Sequence, residues 1–200
     1  LEGEGLYVKG KLHACAPFLA FEWEHEGRTR DVNTHLIGAY NVKNALAAIA
    51  VGLRFEVPAE AICEALNGYI PSNNRSQLTE TQDNHLIVDA YNANPASMMA
   101  ALENFRLMEV AHKVAILGDM KELGEGSVDE HRKIVSFLEG CGFERIILVG
   151  DEFGKANSGF EWYKNTDDLK AKISEEKISG KFVLIKGSNS MKLAPLKDIL

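Results

Sequence analysis

Along this chain the hydrophobic positions change their spacing part-way. Up to residue 37 they alternate with polar ones in short runs. Pro17-Phe18-Leu19-Ala20-Phe21-Glu22-Trp23 leads to Glu26-Gly27, and a return run passes through Val32 to Leu36-Ile37. Such alternation predicts half-buried strands, and the glycine turn between two runs predicts a hairpin. Val42, Ala45, Leu46, Ile49 and Leu53 then recur at helical spacing, with Asn41 placed to cap. Pro58 opens a second helix with Ile62, Ala65 and Leu66 on one face, and Gly68 is its expected stop. Pro71-Ser72-Asn73-Asn74 is the best linker candidate.

Beyond the linker the apolar residues form continuous runs. They are Leu86-Ile87-Val88, Val114-Ala115-Ile116-Leu117, Ile146-Ile147-Leu148-Val149 and Phe182-Val183-Leu184-Ile185. Runs of this kind suit strands buried on both faces, as in parallel sheets. Helical stretches separate them: Pro95 to about Val110, Ser127 to Glu139, and about Asp167 to Lys177. The expected fold class is α/β, a doubly wound, Rossmann-like domain over 73–200, preceded by the strands and helices of 1–72.

Composition narrows the function classes. A hydrophobic share of 46% with 26% charged residues is ordinary for a soluble globular protein. The net charge of −7 argues against a general nucleic-acid binder, which needs clustered Lys and Arg. No apolar run approaches the roughly 18 residues of a membrane helix, so no membrane insertion is expected. Cys15, Cys63 and Cys141 form no C-x-x-C pair, and the histidines show no H-E-x-x-H spacing. Neither a metal site nor a disulfide framework is expected, and reduced thiols suit a cytoplasmic location. The chain starts at Leu1, in strand-like sequence, and is expected to be cut from a larger protein.

In an open parallel sheet, ligands bind beyond the carboxyl ends of the strands. The residues following each apolar run are Asp89 to Asn94, Gly118-Asp119-Met120-Lys121, Gly150-Asp151 and Lys186-Gly187-Ser188-Asn189. Any one such loop carries Gly, Asp and Asn for turn chemistry alone. Four on one edge point further. Asn94 can cap a helix starting at Pro95, which turns free N–H groups outward, and Asp89 can accept from ribose hydroxyls. For Tyr91, packing and ligand contact weigh equally. Gly150-Asp151-Glu152-Phe153-Gly154-Lys155-Ala156 mimics a phosphate loop, but one residue is missing between the glycines and Ala156 has no hydroxyl. Ser127-Val128-Asp129-Glu130 reads as a capping box, and His131 as a half-buried structural residue with substrate contact the lesser alternative. Trp23 and Trp162 read as packing.

The order Asp89-Ala90-Tyr91-Asn92-Ala93-Asn94-Pro95-Ala96-Ser97-Met98 resembles the C-terminal signature of the Mur ligases, in the form found where D-alanyl-D-alanine is added. Gly38-Ala39-Tyr40-Asn41-Val42-Lys43-Asn44, Asn74-Arg75, Leu117-Gly118-Asp119-Met120-Lys121-Glu122-Leu123-Gly124 and Lys186-Gly187-Ser188 fall in the family's order. The resemblance implies a three-domain ligase with ATP between the central and C-terminal domains, residues 1–72 being the tail of the central one. It implies ATP and Mg²⁺ as cofactors and UDP-N-acetylmuramoyl-tripeptide and D-alanyl-D-alanine as partners. The tripeptide carboxylate would be phosphorylated to an acyl phosphate and attacked by the dipeptide amine, in peptidoglycan synthesis and so in cell shape and division.

By the same resemblance Asn41 and Asn44 approach the adenine, Arg75 the ATP phosphates and Asp89 the ribose. Tyr91, Asn92, Asn94, Asp119, Lys186 and Ser188 line the amino-substrate side. Tyr40 stands where many relatives have His, and Asn74 where they have Gly. No catalytic residue is expected within the chain; the P-loop lysine, the Mg²⁺ carboxylate and a carbamylated lysine would lie upstream of Leu1. The chain alone is expected to be inactive, to bind ATP only at about millimolar strength or worse, and to be monomeric. Two alternatives stay open: another ligase of the superfamily, such as the tripeptide-forming enzyme or folylpolyglutamate synthase, and a Rossmann-type module binding without catalysis.

Overall fold

The computed structural model describes residues 5–15, 17–71, 77–157 and 159–200. The chain divides into two compact units, Leu1–Pro71 and Ser72–Leu200.

In the first unit β1 (Lys9–Cys15), β2 (Phe18–His25) and β3 (Arg28–Ile37) pair in sequence order as an antiparallel sheet. Glu26 and Gly27 form the tight turn of the expected hairpin with φ of 50° and 73°. Two successive positive values suit the twist of the strands they join. Helices α1 (Asn41–Arg54) and α2 (Ala59–Gly68) follow. Leu19, Phe21, Trp23 and Val32 from the sheet form one core with Val42, Leu46 and Ile49 of α1 and Ile62 of α2. Trp23 is therefore a core residue. Asn41 does not cap α1: it is the first helical residue, and Tyr40 precedes it without a side-chain cap. Pro58 occupies the cap position of α2 rather than its first turn.

The second unit is built on a six-stranded sheet in the order β4-β5-β9-β6-β7-β8. The strands are β4 (Gln77–Glu80), β5 (His85–Asp89), β6 (Lys113–Gly118), β7 (Arg145–Val149), β8 (Glu161–Tyr163) and β9 (Phe182–Lys186). Only β4 runs antiparallel to its neighbour. The helices are α3 (Pro95–Leu107), α4 (Ser127–Glu139), α5 (Asp151–Ala156) and α6 (Thr166–Glu175). The four apolar runs are the four inner strands, as expected from burial on both faces. The edge strands β4 and β8 and the short α5 are additions to the sequence reading.

The topology places the site. From β5 the chain steps outward through β6, β7 and β8, then returns to insert β9 between β5 and β6. With crossover handedness kept, reversing direction moves the connecting helix to the opposite face. Accordingly Leu169 and Ile173 of α6, with Leu193, Leu196 and Leu200, pack on Leu86, Val88, Ile116, Val149 and Ile185. The alternate sheet positions Ile87, Ala115, Leu117, Leu148 and Leu184, all buried, are left to α3, α4 and α5. The connections after β5 and β6 thus leave towards one face and the segment after β9 towards the other. Their carboxyl ends border the crevice at the switch point of a doubly wound sheet. Among the described residues no helix is long and apolar enough to cross a membrane.

Candidate functional site

The rim is built first around the end of β5. Asn94 caps α3: its Oδ1 accepts from Ser97 N at 2.8 Å, and Ser97 Oγ accepts from Asn94 N at 3.1 Å. This reciprocal pair satisfies two N–H groups at the helix entry. Tyr91 is 50% exposed, and Asn92 and Asn94 also face solvent. Asp89 lies beside Lys186 in the parallel register of β5 and β9. Lys186 Nζ donates to Asp89 Oδ2 at 2.6 Å and to the Asn92 carbonyl at 3.3 Å, from a side chain only 1% exposed. The Asp89 side chain is 13% exposed.

The end of β6 is held differently. Three successive N–H groups are taken within the protein: Asp119 N donates to Val149 O (3.0 Å), Met120 N to His131 Nε2 (3.0 Å) and Lys121 N to Ser188 Oγ (3.0 Å). The Asp119 carboxylate is fully buried and caps α5, accepting from Phe153 N at 3.0 Å and Glu152 N at 3.2 Å. Lys121 Nζ, on a side chain 44% exposed, donates to the same carboxylate at 3.0 Å. Gly150 sits against it with φ 118° and ψ 164°, a conformation essentially limited to glycine.

His131 is wholly buried rather than half-buried. Its Nε2 accepts from Met120, so Nδ1 carries the proton and donates to Ser127 O at 2.7 Å. A neutral imidazole satisfied in this way makes no ion pair with Asp119, 3.9 Å off. Ser127 makes no side-chain cap; Gly126 takes the cap position of α4, contrary to the expected capping box. The apparent phosphate loop is α5, and the N–H groups of Glu152 and Phe153 that a phosphate would need belong to Asp119. Trp162 Nε1 donates to Gly150 O at 2.7 Å, a packing role.

The predicted residues therefore fall into groups. Asp89, Asn92 and Lys186 meet at one end of the crevice, with Tyr91 and Asn94 on the same turn; Asp119 and Ser188 meet around Lys121. In the first unit Asn41 and Asn44 are linked, Asn44 Nδ2 donating to Asn41 Oδ1 at 2.9 Å while Asn41 Nδ2 donates to Ile37 O at 2.8 Å. Asn74 and Arg75 lie outside the described residues. Lys121, His131 and Gly150 were missed as organisers of the rim. Among the described residues one trio has metal-ligand character, His13, Glu22 and Asp31 within 4.8 Å on the outer face of the first unit's sheet.

The family model described as "Mur ligase, glutamate ligase domain" matches residues 74–189. The chain belongs to the Mur ligase family. UDP-N-acetylmuramoyl-tripeptide–D-alanyl-D-alanine ligase of Treponema pallidum is 32% identical over 180 residues, covering 86% of this Mur ligase chain and 39% of the relative. The ligase of the same name from Bacillus subtilis is 32% identical over 177 residues, covering 82% and 39%. The crystal structure of MurF from Acinetobacter baumannii superposes with a TM-score of 0.84 at 26% identity, over 98% of this chain and 45% of that one. The Mur ligase chain thus spans about two fifths of the length of the curated relatives it matches.

Proposed function

We propose that the chain is part of an ATP-dependent ligase that joins D-alanyl-D-alanine to UDP-N-acetylmuramoyl-tripeptide in peptidoglycan precursor synthesis. The observation that carries this reading is the 32% identity, along 86% of the chain, with a relative bearing that name. The rim chemistry agrees with it. The Asp89 carboxylate at the end of β5 suits ribose hydroxyls, and the exposed amides of Asn92 and Asn94 beside Tyr91 suit a zwitterionic dipeptide. Asn41 and Asn44 are assigned to the adenine and Arg75 to the phosphates. Asp119 and Ser188 serve the amino-substrate side by fixing the loop that carries the Lys121 ammonium, and Lys186 by holding the turn that bears Asn92.

In the reaction the terminal carboxylate of the tripeptide takes the γ-phosphoryl group, and the dipeptide amine displaces phosphate to form the amide. Negative charge grows on phosphoryl and acyl oxygens, so preorganised cations and N–H donors lower the barrier. Mg²⁺, when bound, would neutralise part of that charge. As the family resemblance implies, the Mg²⁺ ligands are assigned to the part of the ligase upstream of Leu1, with residues 1–72 as the tail of a central ATPase domain. A cytoplasmic, monomeric enzyme fits this reading.

The test is phosphate release from ATP by the longer protein. Release should require both UDP-N-acetylmuramoyl-tripeptide and D-alanyl-D-alanine, and the 200-residue chain alone should give none. Release that ignores the dipeptide, or that follows glutamate with a folate acceptor, overturns the assignment.

A further inference from the structure

We propose that Lys186 is a positioning residue that acts inward on the turn after β5 and makes no direct contact with ligand. The family resemblance places Lys186 beside the amino substrate; the geometry points elsewhere. Its side chain is 1% exposed, and among the described residues its two hydrogen bonds go to the Asp89–Asn92 turn. A buried ammonium is tolerated when a carboxylate and further acceptors surround it, and here Asp89 Oδ2 and the Asn92 carbonyl do so. Two things follow for the crevice. Fixing Oδ2 sets the plane of the Asp89 carboxylate. Fixing the Asn92 carbonyl sets the bend between β5 and α3, and so the direction of the exposed Tyr91, Asn92 and Asn94.

The inference rests on the ligase reading, and its consequence is kinetic. If the turn serves nucleotide through Asp89 and amine through Asn92 and its neighbours, loosening it raises both KM values together. A direct substrate contact would raise the dipeptide KM alone. A brace that merely supports folding would lower the active fraction, and therefore kcat, leaving both KM values in place.

The experiment uses the full-length protein with Lys186→Met, Asp89→Asn and the double variant, measuring kcat and both KM values beside thermal stability. We expect Lys186→Met to raise each KM about tenfold or more. The double variant should fall within about threefold of the worse single one, because both changes act through one pair. A rise in dipeptide KM alone, an effect confined to kcat, or multiplied losses in the double variant overturns the inference. Should Lys186→Met fail to fold, the double variant leaves no charge buried alone and is read by the same two KM values. Wild-type protein lacking dipeptide-dependent phosphate release would instead overturn the ligase reading itself.

Discussion

At the carboxyl end of the six-stranded sheet the side chains of Asp119 and Lys186 turn into the protein, whereas at the amino end charged side chains pair with one another across the surface. Asp119 and Lys186 are 0% and 1% exposed and are held by backbone groups as well as by counter-charges. At the other end Arg145 grips Glu161 with two bonds of 2.7 and 2.9 Å, and Glu144 accepts from Lys181 and pairs with His112, at 24–62% side-chain exposure. A groove runs between these pairs, lined by Glu144, Arg145, Glu161, Lys172 and Lys181 among others, and most of its charges already have partners. The difference separates two uses of charge. Inward groups fix loop geometry at a cost in desolvation, so each is hard to replace. Outward pairs are screened by water and contribute little.

The sharpest way to break this comparison is at Gly150. A methyl there would stand 2.3 Å from Asp119 Cγ, and the backbone already lies in a glycine-only region. Asp119 cannot retreat without uncapping α5. Gly150→Ala should therefore cost on the order of 4 kcal/mol, in the range of single changes that meet a named steric conflict. Urea denaturation of the second unit checks it. A loss below about 1 kcal/mol would mean that the buried carboxylate is not rigidly held.

A smaller effect separates stability from function. Asn94 caps α3 on the crevice, and Asn165 caps α6 by accepting from Asp168 N at 2.9 Å. Each Asn→Ala should cost about 1 kcal/mol, the usual loss for a cap. Only Asn94→Ala should also raise the dipeptide KM of the full-length enzyme. Equal kinetic losses from both would remove Asn94 from the site.

How much of this was legible beforehand follows from the range of the forces involved. The four inner strands announced themselves because burial on both faces demands unbroken apolar runs, which are local in sequence. β8, with Glu161-Trp162-Tyr163, and β4 were silent because a short edge strand needs no such run. α5 was silent because six residues containing Gly154 carry no helical period. The rim was legible from topology, since loops after parallel strands carry the ligands. The inward rotation of Asp119 was not. It caps a helix more than thirty residues away, by way of the β6–β7 pairing, and residue type alone does not encode that contact. The pairing of Lys186 was silent for the same reason: only the register beside Asp89 brings the two side chains together.

The least costly change probes the outward end. The Arg145 guanidinium holds the Glu161 carboxyl below its ordinary range, against the opposing effect of burial. A carboxyl lowered in the folded state contributes stability above its unfolded value, about 4.3, and loses that contribution as the pH falls through the lowered one. Glu161→Gln should therefore cost less than about 1 kcal/mol near pH 7, because the pair is partly solvated. The gap between wild type and variant should narrow as the pH drops below about 4.3 and close once Glu161 is protonated in both states. Urea melts across that window measure it. A gap that persists in acid would show that Glu161 contributes through packing rather than charge. One above about 2 kcal/mol at neutral pH would place this pair among the buried ones and erase the contrast between the two ends.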